Sequence, residues 1–142
     1  MSRMPMWCAG FVLCSLALAG CGASTDGSGP APANLRIVQS DSPKPSDMEA
    51  VFQGTMIVDD NGCVQARTDT NTLVTLVWPR GYSVRGESKP FEVLDGHKNV
   101  VARSGVALAI GGGGADAFQD AWTKRDCAGG GKLWMVGKVD TA

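Results

Sequence analysis

Val51-Phe52-Gln53-Gly54-Thr55-Met56-Ile57-Val58-Asp59-Asp60-Asn61-Gly62-Cys63-Val64-Gln65-Ala66-Arg67-Thr68-Asp69-Thr70-Asn71-Thr72-Leu73-Val74-Thr75-Leu76-Val77-Trp78-Pro79 is the stretch that decides the fold. Short apolar runs rich in β-branched residues alternate here with turn residues, the spacing of an all-β sandwich or barrel. Phe52 to Val58 reads as a first strand. Asp59-Asp60-Asn61-Gly62 reads as a tight turn, because Asn-Gly accepts the positive φ that short hairpins demand. Cys63 to Arg67 returns as a second strand, Asp69-Thr70-Asn71 turns again, and Thr72 to Trp78 follows until Pro79 ends it. That last run is largely apolar on both faces, which places it near the centre of its sheet.

The same grammar continues downstream. Arg80-Gly81 bends the chain, and Tyr82 to Arg85 extends briefly. Phe91 to Leu94 and Asn99 to Arg103 flank Asp95-Gly96-His97-Lys98, a second hairpin, and Val106 to Ile110 is a further strand. Gly111 to Gly114 is expected to release the chain, Ala115 to Trp122 to form a short helix or turn, and Leu133 to Val139 to close as a last strand after Gly129-Gly130-Gly131. The expected fold is all-β: a small barrel or barrel-like sandwich of about six or seven strands, since closure removes sticky edges.

Upstream, the chain changes character. Met1-Ser2-Arg3-Met4-Pro5 carries one positive charge, and Met6 to Gly20 is apolar apart from Ser15. That run is too short for a membrane-crossing helix, which needs about 20 residues. It suits a secretory signal, which has a charged start, an apolar middle and a small-residue cleavage site. The run ends in Leu18-Ala19-Gly20-Cys21, which resembles the bacterial lipobox. The resemblance implies that residues 1–20 are a signal peptide cut between Gly20 and Cys21, and that Cys21 carries a diacylglycerol and palmitate-like acyl chains. From Gly22 to about Lys44 the composition is Gly, Ser, Ala and Pro, too poor in apolar surface to offset its ordering entropy. Residues 21–46 therefore read as the lipidated cysteine and a spacer, and residues 47–142 as the β-domain. Leu35-Arg36-Ile37-Val38 is either an added edge strand or part of the spacer, and Pro43 and Pro45 stop any regular element there.

Charge and cysteine usage bound the function. The whole chain has 13 basic and 14 acidic residues, a net charge of −1. The bases are scattered among acids rather than gathered in the basic patch typical of nucleic-acid binders, so no nucleic-acid partner is expected. Of the 5 cysteines, Cys8 and Cys14 leave with the signal and Cys21 is consumed by lipid. Cys63 and Cys127 remain. Outside the cytoplasm thiols are normally oxidised, so a Cys63–Cys127 disulfide is expected, two free thiols being the alternative. Two distant cysteines and His97 do not supply the four ligands of a structural zinc site, so no metal or cofactor is expected.

One further resemblance spans roughly Val51 to Val139. Gly54, Asp60, Gly62-Cys63, Leu76-Val77-Trp78-Pro79, Gly81-Tyr82, Val100-Val101-Ala102-Arg103, Gly105, the strand into Gly111-Gly112, and Cys127 resemble a family of small uncharacterised bacterial lipoproteins. It implies a β-rich extracytoplasmic domain with paired cysteines and carries no activity with it. The four-glycine run Gly111 to Gly114 departs from the family's pattern.

Candidate chemistry is sparse. His97 sits at an expected hairpin tip, and Ser83, Ser88, Ser104, Asp95 and Asp116 are the residues a nucleophile, base and orienter would be drawn from. Such constellations are recognised by geometry, and no Gly-x-Ser-x-Gly elbow occurs. Gly131-Lys132 is followed by Leu133, which rules out a phosphate loop, and Asp59, Asp60 and Asn61 lack the EF-hand spacing. Trp78, Arg80, Tyr82 and Trp134 are the candidate lining of a ligand pocket in a barrel mouth; ordinary core filling is the competing role of the aromatics. The reading is a membrane-anchored envelope lipoprotein, in the cell membrane or outer membrane, with a non-catalytic binding or scaffolding domain. The alternatives are a small-molecule-binding barrel and an enzyme acting on envelope material.

Overall fold

The computed structural model describes residues 34–142. The expected signal segment, its Gly20–Cys21 cleavage point and the lipidated Cys21 lie outside the described residues. The described chain is all-β, with nine strands: β1 Val38–Gln39, β2 Ala50–Val58, β3 Val64–Thr68, β4 Leu73–Trp78, β5 Ser83–Gly86, β6 Phe91–Leu94, β7 Val100–Arg103, β8 Ala107–Ala115 and β9 Lys132–Thr141. A single 3-10 turn covers Arg125–Cys127.

Five of the strands close a barrel. β2, β3 and β4 form an antiparallel meander, β8 returns antiparallel beside β2, and β9 closes the ring by pairing antiparallel with β8 and parallel with β4. A fourth strand that comes back by a long connection to lie beside the first is the Greek-key arrangement, and five strands so joined make the small barrel of the OB type. β2 serves both sides: Ala50 to Thr55 pair with β8, and Gly54 to Val58 pair with β3. Alternation along β4 sorts the core. Val74, Leu76 and Trp78 join the interior cluster with Met56, Val64, Ala66, Leu108, Ile110 and Val136, while Val77 faces outward. The expectation that this strand is central is met, since it pairs with β1, β3 and β9.

The connection from β4 to β8 is a separate three-stranded antiparallel sheet, β5-β6-β7, whose Phe91, Val93 and Ala102 extend the interior cluster. The connection from β8 to β9 has no ladder of its own and lies against the outer face of the barrel. There Trp122 and Cys127, with Phe118, pack on Val38, Cys63, Val77, Leu133 and Met135. Cys63 and Cys127 are bonded, with sulfurs 2.08 Å and Cα atoms 5.4 Å apart. The bridge ties this covering segment to the start of β3.

Two expectations differ from what forms. Gly111 to Gly114 does not release the chain but lies inside β8, which runs on to Ala115. The reason is crowding: a Cβ on Gly112 would stand 1.9 Å from the Met135 carbonyl oxygen, one on Gly113 would stand 2.4 Å from Met48 Sδ, and the ladder shifts register between Ile110 and Gly112. The glycines let Ser46–Met48 cross close over β8 and β9, where Ser46 N–H donates to the Val136 carbonyl at 3.0 Å. Ala115 to Trp122 takes the turn of its two expected forms, with bends beside it and no helix. Second, packing extends upstream of Asp47, where Leu35-Arg36-Ile37-Val38 takes the added edge strand of its two expected forms. Ile37, Val38 and Ser40 are buried, and the segment takes up hydrogen bonds that β3 and β4 leave open beyond their Gln65–Thr75 pair. Arg36 N–H donates to Gly62 O, Val64 N–H to Arg36 O, and Ser40 N–H to Trp78 O. Nine strands form where about six or seven were expected, because the brief extension after Tyr82 becomes a full strand, β5, and β1 is added.

Candidate functional site

The barrel is open at the end where β3 turns into β4. Inward-facing positions of β2, β3, β4, β8 and β9 converge there on a groove of about 460 Å³, within the range of small-molecule sites. Its floor is aromatic. Phe52 and Trp134, both half-buried, meet edge to face with ring centres 4.9 Å apart, and Trp134 Nε1–H is fixed by the Gly111 carbonyl at 3.3 Å. Gly114 pairs with Trp134 and contributes no side chain, which keeps the space beside the indole open.

The rim is made of hydroxyls. Thr68, Thr70 and Thr72 recur at every second position through the β3–β4 turn. Their oxygens form a row, 3.0 Å from Thr68 to Thr70 and 3.4 Å from Thr70 to Thr72, with Thr72 N–H donating to Thr68 Oγ1 at 3.0 Å. The turn itself is set by Asn71, whose φ of 63° is left-handed, a conformation that asparagine tolerates better than most residues. Asp116 and Lys132 line the groove with opposite charges.

The expected pocket of Trp78, Arg80, Tyr82 and Trp134 does not assemble as one cavity. Trp78 and Tyr82 do meet, with ring centres 5.9 Å apart, and line a separate cleft with Val100, Val101 and Val139. Trp78 is fully buried among the interior residues, so its main role is the core filling weighed above. Arg80 is exposed, holding the chain through its main-chain N–H to Ser42 O at 2.8 Å. Trp134 belongs to the barrel mouth instead. β4 carries Trp78 at the end remote from the threonine turn, whereas Trp134, on β9 beside Leu76, lines the groove at the mouth. Burial, and then the nearby Asp95 carboxylate, push the Tyr82 phenol above its ordinary range.

The candidate catalytic residues are dispersed. His97 is exposed at its hairpin tip, and its main-chain N–H donates to Asp95 Oδ1 at 2.8 Å. Asp95 also accepts from Asn99 N–H at 2.9 Å and Asn99 Nδ2 at 3.1 Å; these bonds hold its carboxyl below the usual range and brace the hairpin. Ser104 Oγ accepts the Phe91 N–H, and Ser83 Oγ accepts from Lys98 Nζ. Asp59 is likewise a turn residue, receiving the N–H groups of Asn61 and Cys63 at 2.9 Å each. Among the described residues, no three His, Cys, Asp or Glu side chains cluster closely enough to hold a metal ion.

The groove residues that the sequence reading missed are Thr68, Thr70, Thr72 and Lys132. The Thr-x-Thr-x-Thr spacing was the available signal, since it gathers three hydroxyls into one short turn between two strands. Ligands of OB-type barrels commonly cross the outer face of the second and third strands. Here those are β3 and β4, and part of that face lies beneath Trp122 and Cys127. No family model, curated protein or solved structure matches the chain, so its fold and groove stand on their own geometry.

Proposed function

We propose that this chain is a lipid-anchored protein of the bacterial envelope whose barrel is a non-catalytic binding module, with Cys21 as the acylated first residue and the ligand taken at the barrel mouth. The observation that carries the binding role is the groove between the Phe52–Trp134 pair and the Thr68–Thr72 turn. It joins an apolar floor to a few convergent polar groups, the usual make-up of a small-molecule site, in a barrel whose interior is otherwise filled by Leu76, Trp78 and Ile110. The anchoring role is supported by Leu18-Ala19-Gly20-Cys21 and by the Gly, Ser, Ala and Pro composition that follows. One buried acyl chain holds only marginally, whereas two or three, at about 0.8 kcal/mol per buried methylene, hold firmly. With retention supplied covalently, the barrel is free to present its groove to a ligand.

Intact-mass analysis of membrane-extracted protein tests the anchor. The expected result is cleavage before Cys21, added acyl mass, and the loss of two hydrogens for the Cys63–Cys127 bridge. A Cys21→Ala variant is expected to leave the membrane fraction. Native protein with residues 1–20 intact and no acyl mass overturns the anchoring role.

A further inference from the structure

Resting on that reading of the barrel mouth, we infer that the groove formed by Phe52, Trp134, Thr68, Thr70, Thr72 and Lys132 binds a neutral saccharide. The ligand class follows from what each wall can satisfy. The aromatic floor offers apolar ring surface, with Phe52 and Trp134 locked 4.9 Å apart in a fixed geometry. A sugar ring matches such a surface with its C–H face, and a preorganised floor loses little freedom on binding. The hydroxyl row, lining the same groove, asks for the opposite character. Each threonine hydroxyl has one donor and two acceptor positions, and the 3.0 Å and 3.4 Å bonds within the row leave acceptor positions free. A partner for that row must present donors and acceptors at short intervals, as vicinal hydroxyls do.

Competing ligands leave part of the site unmatched. A fatty chain would cover the aromatic floor but displace water from the threonine oxygens without replacing its hydrogen bonds, which costs affinity. A phosphorylated ligand needs concentrated positive charge, and the lining pairs Lys132 with Asp116. The two opposite charges favour neither ion, and each can instead hydrogen-bond a neutral hydroxyl: lysine as a donor only, carboxylate as an acceptor only.

The test is titration of the detergent-extracted full-length protein with glucose oligomers and N-acetylglucosamine oligomers. It is read by tryptophan fluorescence and by saturation-transfer NMR, with laurate and inorganic phosphate as comparison probes. At least one saccharide series is expected to bind saturably. Thr70→Ala and Lys132→Met, both at exposed positions, are expected to weaken it about three- to tenfold each, the effect of one lost hydrogen bond. Saccharide binding that both variants leave unchanged overturns the assignment of this site. Binding of laurate or phosphate alone overturns the saccharide while leaving the mouth a binding site. Binding of no probe by a folded protein overturns both.

Discussion

Replacing Gly112 by alanine tests the explanation of the four-glycine strand most directly. Two costs act at this position. Its φ of 138° lies where side-chain-bearing residues rarely sit, a strain of about 1–3 kcal/mol. The new Cβ would also stand 1.9 Å from Met135 O and 3.0 Å from Gly137 N. Both atoms are backbone of β9, so relief requires the β8–β9 ladder to part by more than 1 Å at the point where the barrel closes. Overpacking of that kind costs about 1–3 kcal/mol. The sum, about 2–6 kcal/mol, is a large share of the roughly 5–15 kcal/mol of a typical domain. Gly114, two residues along, makes the control. Its φ is not in the left-handed region, and a Cβ there meets only Leu133 O at 3.9 Å. Gly114→Ala is therefore expected to stabilise by about 0.4–1 kcal/mol, through the loss of unfolded-chain freedom. Gly113→Ala should fall between them: Met48 Sδ and Cε belong to a side chain 42% exposed that can swing aside, while Met48 Cβ, 2.9 Å away, must shift with its backbone. Equilibrium urea unfolding of the oxidised protein, followed by tryptophan fluorescence, measures all three. Gly112→Ala within 1 kcal/mol of the parent, or Gly114→Ala as damaging as Gly112→Ala, would refute the crowding argument.

Two further outcomes are expected. The Cys63→Ala/Cys127→Ala double variant should lose about 4 kcal/mol in the same urea experiment, the chain-entropy value for a loop of this length across a sequence separation of 64; a loss below 1 kcal/mol would show that the bridge constrains little. Tyr82 is the only tyrosine, so absorbance near 295 nm titrates it alone, with a midpoint expected above that of a free phenol. The sign follows from linkage: a raised folded pKa means stability fully present below about pH 10 that declines as pH rises further, and a midpoint at or below the free value would contradict the burial described.

Much of the fold was legible because local signals and tertiary demands agreed. The Asn61-Gly62 turn forms where expected, with Gly62 at φ 80°, and the two-faced apolar run from Leu73 to Trp78 is the strand with the most partners. The signals failed where a residue's local preference was overruled by a neighbour remote in sequence. A glycine run resembles a loop until Met135 O and Met48 are known to press on it. Leu35 to Val38 reads equally as edge strand or spacer until the Gly62 and Trp78 carbonyls are known to take N–H groups from Arg36 and Ser40. The pocket residues show the same limit. Aromatic content pointed to a barrel mouth, yet which tryptophan reaches it depends on the β4–β9 register, Leu76 beside Trp134, and no local pattern encodes a register between strands more than fifty positions apart.

That parallel seam also governs when the molecule can assemble. β9 follows the other eight described strands and pairs with both β4 and β8, so a nascent polypeptide lacking it exposes two open strand borders, each a template for unwanted pairing. The barrel cannot shut until the 10 residues of β9 have emerged from the ribosome. Closure thereby waits for β9, and a truncation that removes this strand should be far more harmful than its length suggests.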